Sequence, residues 1–131
     1  MKQGDSMSIK INNIDINYVQ YGKGEDVVLL HGWGQNIAMM EPLGNLLSNN
    51  FKVTIIDLPG FGNSEEPSYA LSLYEYYEIL DLLFKKLKIK KPILIGHSFG
   101  GRIALIYASL KETKKLVLFG APFEKRVKNL S

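Results

Sequence analysis

The sequence predicts an α/β fold: a three-layer α/β/α sandwich around a mostly parallel sheet of about six strands, opened by an antiparallel hairpin. Three observations carry this expectation. Apolar, β-prone runs recur at 27–30, 52–56, 93–95 and 116–119, the first of them continuously apolar, as a strand covered on both faces requires. The stretches between the last three runs, and between the first two, contain segments with helical spacing. Ahead of them all, two short segments alternate apolar and polar residues, as half-exposed strands do. Strands separated by helices imply right-handed crossovers and helices on both faces of the sheet.

In chain order, Ile9-Lys10-Ile11 and Ile14-Asp15-Ile16-Asn17-Tyr18 form the hairpin strands, and Asn12-Asn13 suits the tight turn between them. Val27-Val28-Leu29-Leu30 is the first buried strand. A helix over Ile37 to Leu47 follows, in which Pro42 is expected to sit near the first turn, where its missing N–H does no harm. Lys52-Val53-Thr54-Ile55-Ile56 is the next strand, and the Pro and Gly content of residues 57–64 marks a loop. Ser72-Leu73-Tyr74-Glu75 is a capping box, with Leu71 and Tyr76 placed as its hydrophobic staple. Leu73, Tyr76, Leu80, Leu83 and Leu87 then mark the face of that second helix to be buried. Tyr74, Tyr76 and Tyr77 read as core and rim residues of the same helix. Ile93-Leu94-Ile95 is a strand, residues 99 to about 110 a helix, and Leu116-Val117-Leu118-Phe119 the last strand.

Composition narrows the function classes. With 46% hydrophobic and 22% charged residues in 131, this is one ordinary globular domain at most. The net charge of +3 comes largely from Lys and Arg scattered along the chain; the densest cluster is Lys85-Lys86-Leu87-Lys88-Ile89-Lys90-Lys91, at a helix end where cations favour the dipole. No aromatic–basic interleaving accompanies it, so no nucleic-acid partner is expected. The absence of cysteine excludes disulfides and thiolate metal sites. Met1-Lys2-Gln3-Gly4-Asp5-Ser6 is polar and no apolar stretch approaches membrane-spanning length, so a cytoplasmic protein without membrane partners is expected.

Gly96-His97-Ser98-Phe99-Gly100 carries the chemistry. It is a G-x-S-x-G sequence set between a strand and a helix, the context that lifts a serine hydroxyl to the sheet's carboxyl edge. The Phe99 N–H, at the positive end of a helix, would point toward a developing oxyanion. His31-Gly32-Trp33-Gly34 also follows a buried strand, and the Trp33 N–H is the best candidate for a second oxyanion donor. His31 could be a general base, but a histidine beside a glycine turn more often holds its loop together. His97 adjoins Ser98, and neighbours on a sharp turn usually point apart. Asp57 begins a loop whose own N–H groups it can accept; the functional alternative is a carboxylate that orients a histidine. Glu124 is the only late acid in a plausible position for that role. Trp33 and Phe61 suggest an apolar pocket mouth. The G-x-x-x-x-G spacing from Gly96 is not a phosphate loop, because Arg102-Ile103 stands where Lys-Ser/Thr is needed.

Taken together, His31-Gly32-Trp33-Gly34, Asp57-Leu58-Pro59-Gly60-Phe61-Gly62-Asn63-Ser64 and Gly96-His97-Ser98-Phe99-Gly100-Gly101 resemble the α/β-hydrolase fold superfamily. The likeness is closest to its bacterial esterase, lipase and carbon–carbon bond hydrolase branch, and spans roughly residues 8 to 123. It implies Ser98 as nucleophile, the Trp33 and Phe99 N–H groups as oxyanion hole, no metal or organic cofactor, and acyl transfer to water. It also implies an acid, a histidine base and a lid for which this sequence offers no counterpart, since no histidine follows Ser98. The domain reading is therefore a polar segment at 1–7, a partial hydrolase domain at 8–123, and a tail at 124–131 where a lid would begin. The expected function is a serine hydrolase of carboxylic esters or related acyl substrates, incomplete in this chain. The alternative is a non-catalytic remnant of the fold that oligomerises or binds partners. Either way the last strand is expected at an exposed edge, favouring a homo-oligomer or a complementing chain.

Overall fold

The computed structural model describes residues 5–120. Chain reversal comes first: Asn12 and Asn13 both take positive φ, 50° and 64°, the mirror-image turn that matches strand twist. They join β1 (Met7–Ile11) to β2 (Ile14–Gly22), which runs on past the predicted strand through Tyr21. β3 (Asp26–Leu30), β4 (Lys52–Ile56), β5 (Ile93–His97) and β6 (Lys115–Phe119) complete a sheet of order β1-β2-β4-β3-β5-β6. β1, β2 and β4 pair antiparallel; β4, β3, β5 and β6 are parallel.

That order places the site. The chain leaves β3 for β4 on one side and leaves β5 for β6 on the other, so the connections from these two adjacent strands run in opposite directions. Such a reversal opens a crevice at the strands' carboxyl ends, where α/β sheets bind ligands. Here those ends are Leu30 and Gly96, paired in register.

Alternate residues of each central strand feed two cores. Val27 and Leu29 join Val53 and Ile55 beneath α1 (Ile37–Leu47), through Ile37 and Met40. Val28, Leu30, Ile56 and Leu94 face α2 (Leu73–Leu87) and α3 (Phe99–Leu110), through Leu80, Leu83, Phe84, Ile103 and Ala104. The three layers are thus those expected. Each fully buried Leu, Ile or Phe contributes about 1.5–3 kcal/mol, which is why polar residues are scarce along β3.

The capping box forms: Ser72 Oγ accepts the Glu75 N–H at 3.1 Å, and Glu75 Oε1 accepts the Ser72 N–H at 2.8 Å. The buried face of α2 is wider than predicted and includes Tyr77, Ile79 and Phe84. Lys88, in the left-handed region at φ 59°, ends the helix where glycine would be usual.

One expectation is corrected. Pro42 lies in the second turn of α1, not near its first, and leaves the Ala38 carbonyl without its helical N–H. Both residues are exposed, so water can satisfy that carbonyl. β6 lies at the sheet edge with Val117 and Phe119 exposed on one face, while Leu116 and Leu118 pack toward α3. Among the described residues no helix is long and apolar enough to cross a membrane.

Candidate active site

A single residue separates β5 from α3. Ser98 has φ 53° and ψ −112°, a backbone conformation that side chains with a Cβ rarely adopt. Such strain costs about 1–3 kcal/mol and persists only where neighbours enforce it. Two glycines do so. A Cβ on Gly96 would lie 2.5 Å from the Gly101 Cα, and one on Gly100 would lie 2.4 Å from the His31 carbonyl oxygen. The first turn of α3 therefore rests directly on the ends of β3 and β5. Ser98 N–H donates to the Phe119 carbonyl at 2.9 Å, and its own carbonyl accepts the Arg102 N–H at 3.1 Å. Its hydroxyl makes no capping bond and the residue is half-exposed.

The loop after β3 is locked from within. His31 is fully buried; its Nδ1 donates to the Gly32 carbonyl at 2.7 Å and its Nε2 accepts the Leu58 N–H at 3.0 Å. Burial pushes its pKa down, partly opposed by the bond to Gly32 and the charge of Asp57. Both ring nitrogens are occupied in joining two loops, which is the loop-holding role expected of His31 over that of a general base. Gln35 closes the turn, its side-chain oxygen accepting the Gly32 N–H at 2.9 Å while its own N–H reaches the Gly32 carbonyl at 3.1 Å. Between them Trp33 stands 67% exposed. Among the described residues, neither the Trp33 N–H nor the Phe99 N–H donates to a protein acceptor.

Asp57, almost fully buried, is also an organiser. Oδ1 accepts the Ile37 N–H at 2.8 Å; Oδ2 accepts Asn17 Nδ2 and the Asn63 N–H, each at 2.9 Å. It thus caps α1, whose own N-cap Asn36 makes no side-chain bond, and ties the 57–64 loop to β2. This is the loop-organising role expected of Asp57; among the described residues its carboxylate accepts from no histidine. His97 turns its Nδ1 to Gln35 at 3.1 Å and its ring onto Phe119, 4.8 Å between centroids. Only its Nδ1 is so engaged; its Nε2 makes no hydrogen bond among the described residues. Glu124 lies outside the described residues.

Beside Ser98's helix a cleft of about 520 Å³ opens, walled by Trp33, Phe61, Leu71, Leu73, Tyr76 and Phe99. The rings meet edge-on: Trp33 with Phe61 at 4.8 Å, Trp33 with Phe99 at 5.0 Å, Tyr76 with Phe99 at 5.1 Å. Tyr76 donates its hydroxyl to the Pro59 carbonyl at 2.9 Å, so it offers the cleft only its ring. The expected pocket mouth of Trp33 and Phe61 is present. Sequence reading missed Gln35 and the lining role of Tyr76 and Leu71; the helical periodicity and staple marked the latter pair as buried without saying against what. Among the described residues no three His, Cys, Asp or Glu side chains are placed to hold a metal ion.

Comparison with known proteins agrees with this fold. A family model described as alpha/beta hydrolase fold matches residues 27–129. The chain is 40% identical over 83 residues to the pimeloyl-[acyl-carrier protein] methyl ester esterase of Vibrio cholerae, covering 63% of this chain and 31% of that protein. The enzyme of the same name from Pseudoalteromonas atlantica is 35% identical over 99 residues, 74% of this chain and 37% of its own. The chain thus spans about a third of the length of the curated relatives it matches. An epoxide hydrolase of Vigna radiata superposes with a TM-score of 0.87 at 20% identity, over 94% of this chain and 40% of that one. At that identity the likeness speaks for the fold.

Proposed function

The chain belongs to the alpha/beta hydrolase fold family, and from that premise we propose that it carries the nucleophile and oxyanion hole of a serine esterase acting on a small carboxylic ester. The esterase relatives favour that reaction class. The observation that carries the reading is the strained backbone at Ser98, with a hydroxyl that makes no capping bond, followed directly by Phe99, whose N–H has no protein acceptor among the described residues. Ser98 Oγ attacks the acyl carbon while the carbonyl oxygen, gaining charge, takes hydrogen bonds from Trp33 and Phe99. Those donors are fixed in advance, so no reorganisation opposes the reaction. Collapse expels the alcohol and leaves an ester on Ser98, which water then cleaves. The apolar cleft receives the acyl or alkoxy group. The serine proton passes to a general base; both ring nitrogens of His31 are bonded elsewhere, and His97 has only its Nε2 free among the described residues.

The test is phosphonylation with a fluorophosphonate, read by intact mass. Labelling confined to one site and lost in Ser98→Ala is expected. No labelling of folded protein, or equal labelling of the variant, overturns the reading.

A second reading, an interaction module on the same fold without turnover, is favoured by β6. Its edge position and the 39% and 43% exposure of Val117 and Phe119 invite a strand from a second copy or a complementing chain. A clean monomer in sedimentation at tens of micromolar would count against it.

A further inference from the structure

The two halves of the site come from chain segments far apart, yet one side-chain atom touches both. Gln35 Oε1 accepts the Gly32 N–H at 2.9 Å and lies 3.1 Å from His97 Nδ1. A backbone N–H can only donate, so the Gln35 atom facing it is the oxygen. The His97 nitrogen sharing that oxygen must then carry its hydrogen. Gly32 immediately precedes Trp33, and His97 immediately precedes Ser98. The contact is close as well as polar: a Cβ on Gly32 would lie 2.8 Å from His97 Nδ1 and 3.0 Å from Gln35 Oε1. Nothing else polar joins these two residues among the described ones. The other ties between the two segments are the β3–β5 ladder, which ends at Leu30 and Gly96, and the seat of Gly100 on the carbonyls of Leu30 and His31. Gln35 itself is braced, because its N–H is held by the Gly32 carbonyl that His31 also engages.

We propose that Gln35 is the positioning residue of the oxyanion hole: its one shared oxygen sets the span between the Trp33 and Phe99 N–H donors. The inference rests on the acyl-transfer reading above. An oxyanion hole works only when both donors reach one point, and a misplacement near 1 Å can cost roughly a hundredfold. Where no base is at hand, the acceleration that remains comes from the oxyanion hole. Loss of Gln35 should therefore fall directly on Ser98's reactivity.

The test compares Gln35→Met, which keeps the length and removes the acceptor, with Gln35→Glu, which keeps an oxygen there. The readouts are the rate of fluorophosphonate labelling at Ser98 and the ¹⁵N shifts of His97. The Met variant is expected to react about ten- to a hundredfold more slowly, and His97 to lose its fixed Nδ1–H form. The Glu variant should recover most of the rate. Gln35→Asn, one carbon short, is expected to behave as the Met variant and serves if that one fails to fold. A merely structural Gln35 would change the unfolding midpoint and leave the rate of folded molecules unaltered. If the unaltered chain reacts and the Met or Asn variant reacts equally fast, this proposal alone falls. If the unaltered chain never reacts, the acyl-transfer reading falls and takes this proposal with it.

Discussion

Ser98→Gly should make the protein more stable. The residue sits at φ 53°, ψ −112°, where a Cβ is strained by about 1–3 kcal/mol. Glycine removes that strain and costs about 0.5–1 kcal/mol through the larger freedom of the unfolded chain. No other loss is expected: the hydroxyl makes no capping bond at α3, although Ser98 occupies the N-cap position. The balance is a gain of about 1 kcal/mol, or roughly 3–5 °C in midpoint for a domain of this size. Ser98→Ala keeps the Cβ and should leave stability nearly unchanged. Urea and thermal unfolding of the three proteins, followed by circular dichroism under one condition, decide the matter. A Gly variant no more stable than the Ala variant would refute the claim that the nucleophile's backbone is held under strain.

Three further outcomes are expected. Gly100→Ala pushes a methyl group onto the carbonyl oxygens of Leu30 and His31, 2.5 and 2.4 Å away, and should destabilise by at least about 1–3 kcal/mol in urea unfolding. Burial lowers the folded-state pKa of His31, so the unfolded chain binds the extra proton first. Stability is then full above about pH 6.5 and falls as pH drops through that value; His31→Gln should flatten this part of the urea midpoint against pH. Finally, Trp33 is the only tryptophan of the sequence and lines the cleft, so its emission should shift to the blue when an apolar acyl phosphonate is seated there.

What was legible in the sequence was local. The Asn12-Asn13 turn, the Ser72/Glu75 box and the apolar strands each depend on residues within a few positions, and they fall where expected. The glycines around Ser98 also announced a tight strand-to-helix turn, with Gly101 allowing close packing of helix on sheet, and Gly96 and Gly101 are indeed pressed together. What stayed hidden depends on distant partners. Asp57 caps a helix that begins 20 residues earlier, and Gln35 meets a histidine 62 residues later. A capping residue outside the helix's own flank leaves no local pattern, and neither does a glutamine whose two partners are brought together only by the β3–β5 pairing. Pro42 misled for the opposite reason: local propensity put it in the first turn, and exposure of the freed carbonyl let it stand in the second.

The most direct test of the oxyanion-hole account is a crystal structure of the Ser98 phosphonate adduct. The account predicts the phosphoryl oxygen within roughly 2.7–3.1 Å of both the Trp33 and Phe99 nitrogens, with the organic group in the aromatic cleft. An adduct whose oxygen points to solvent, touching neither nitrogen, would contradict it.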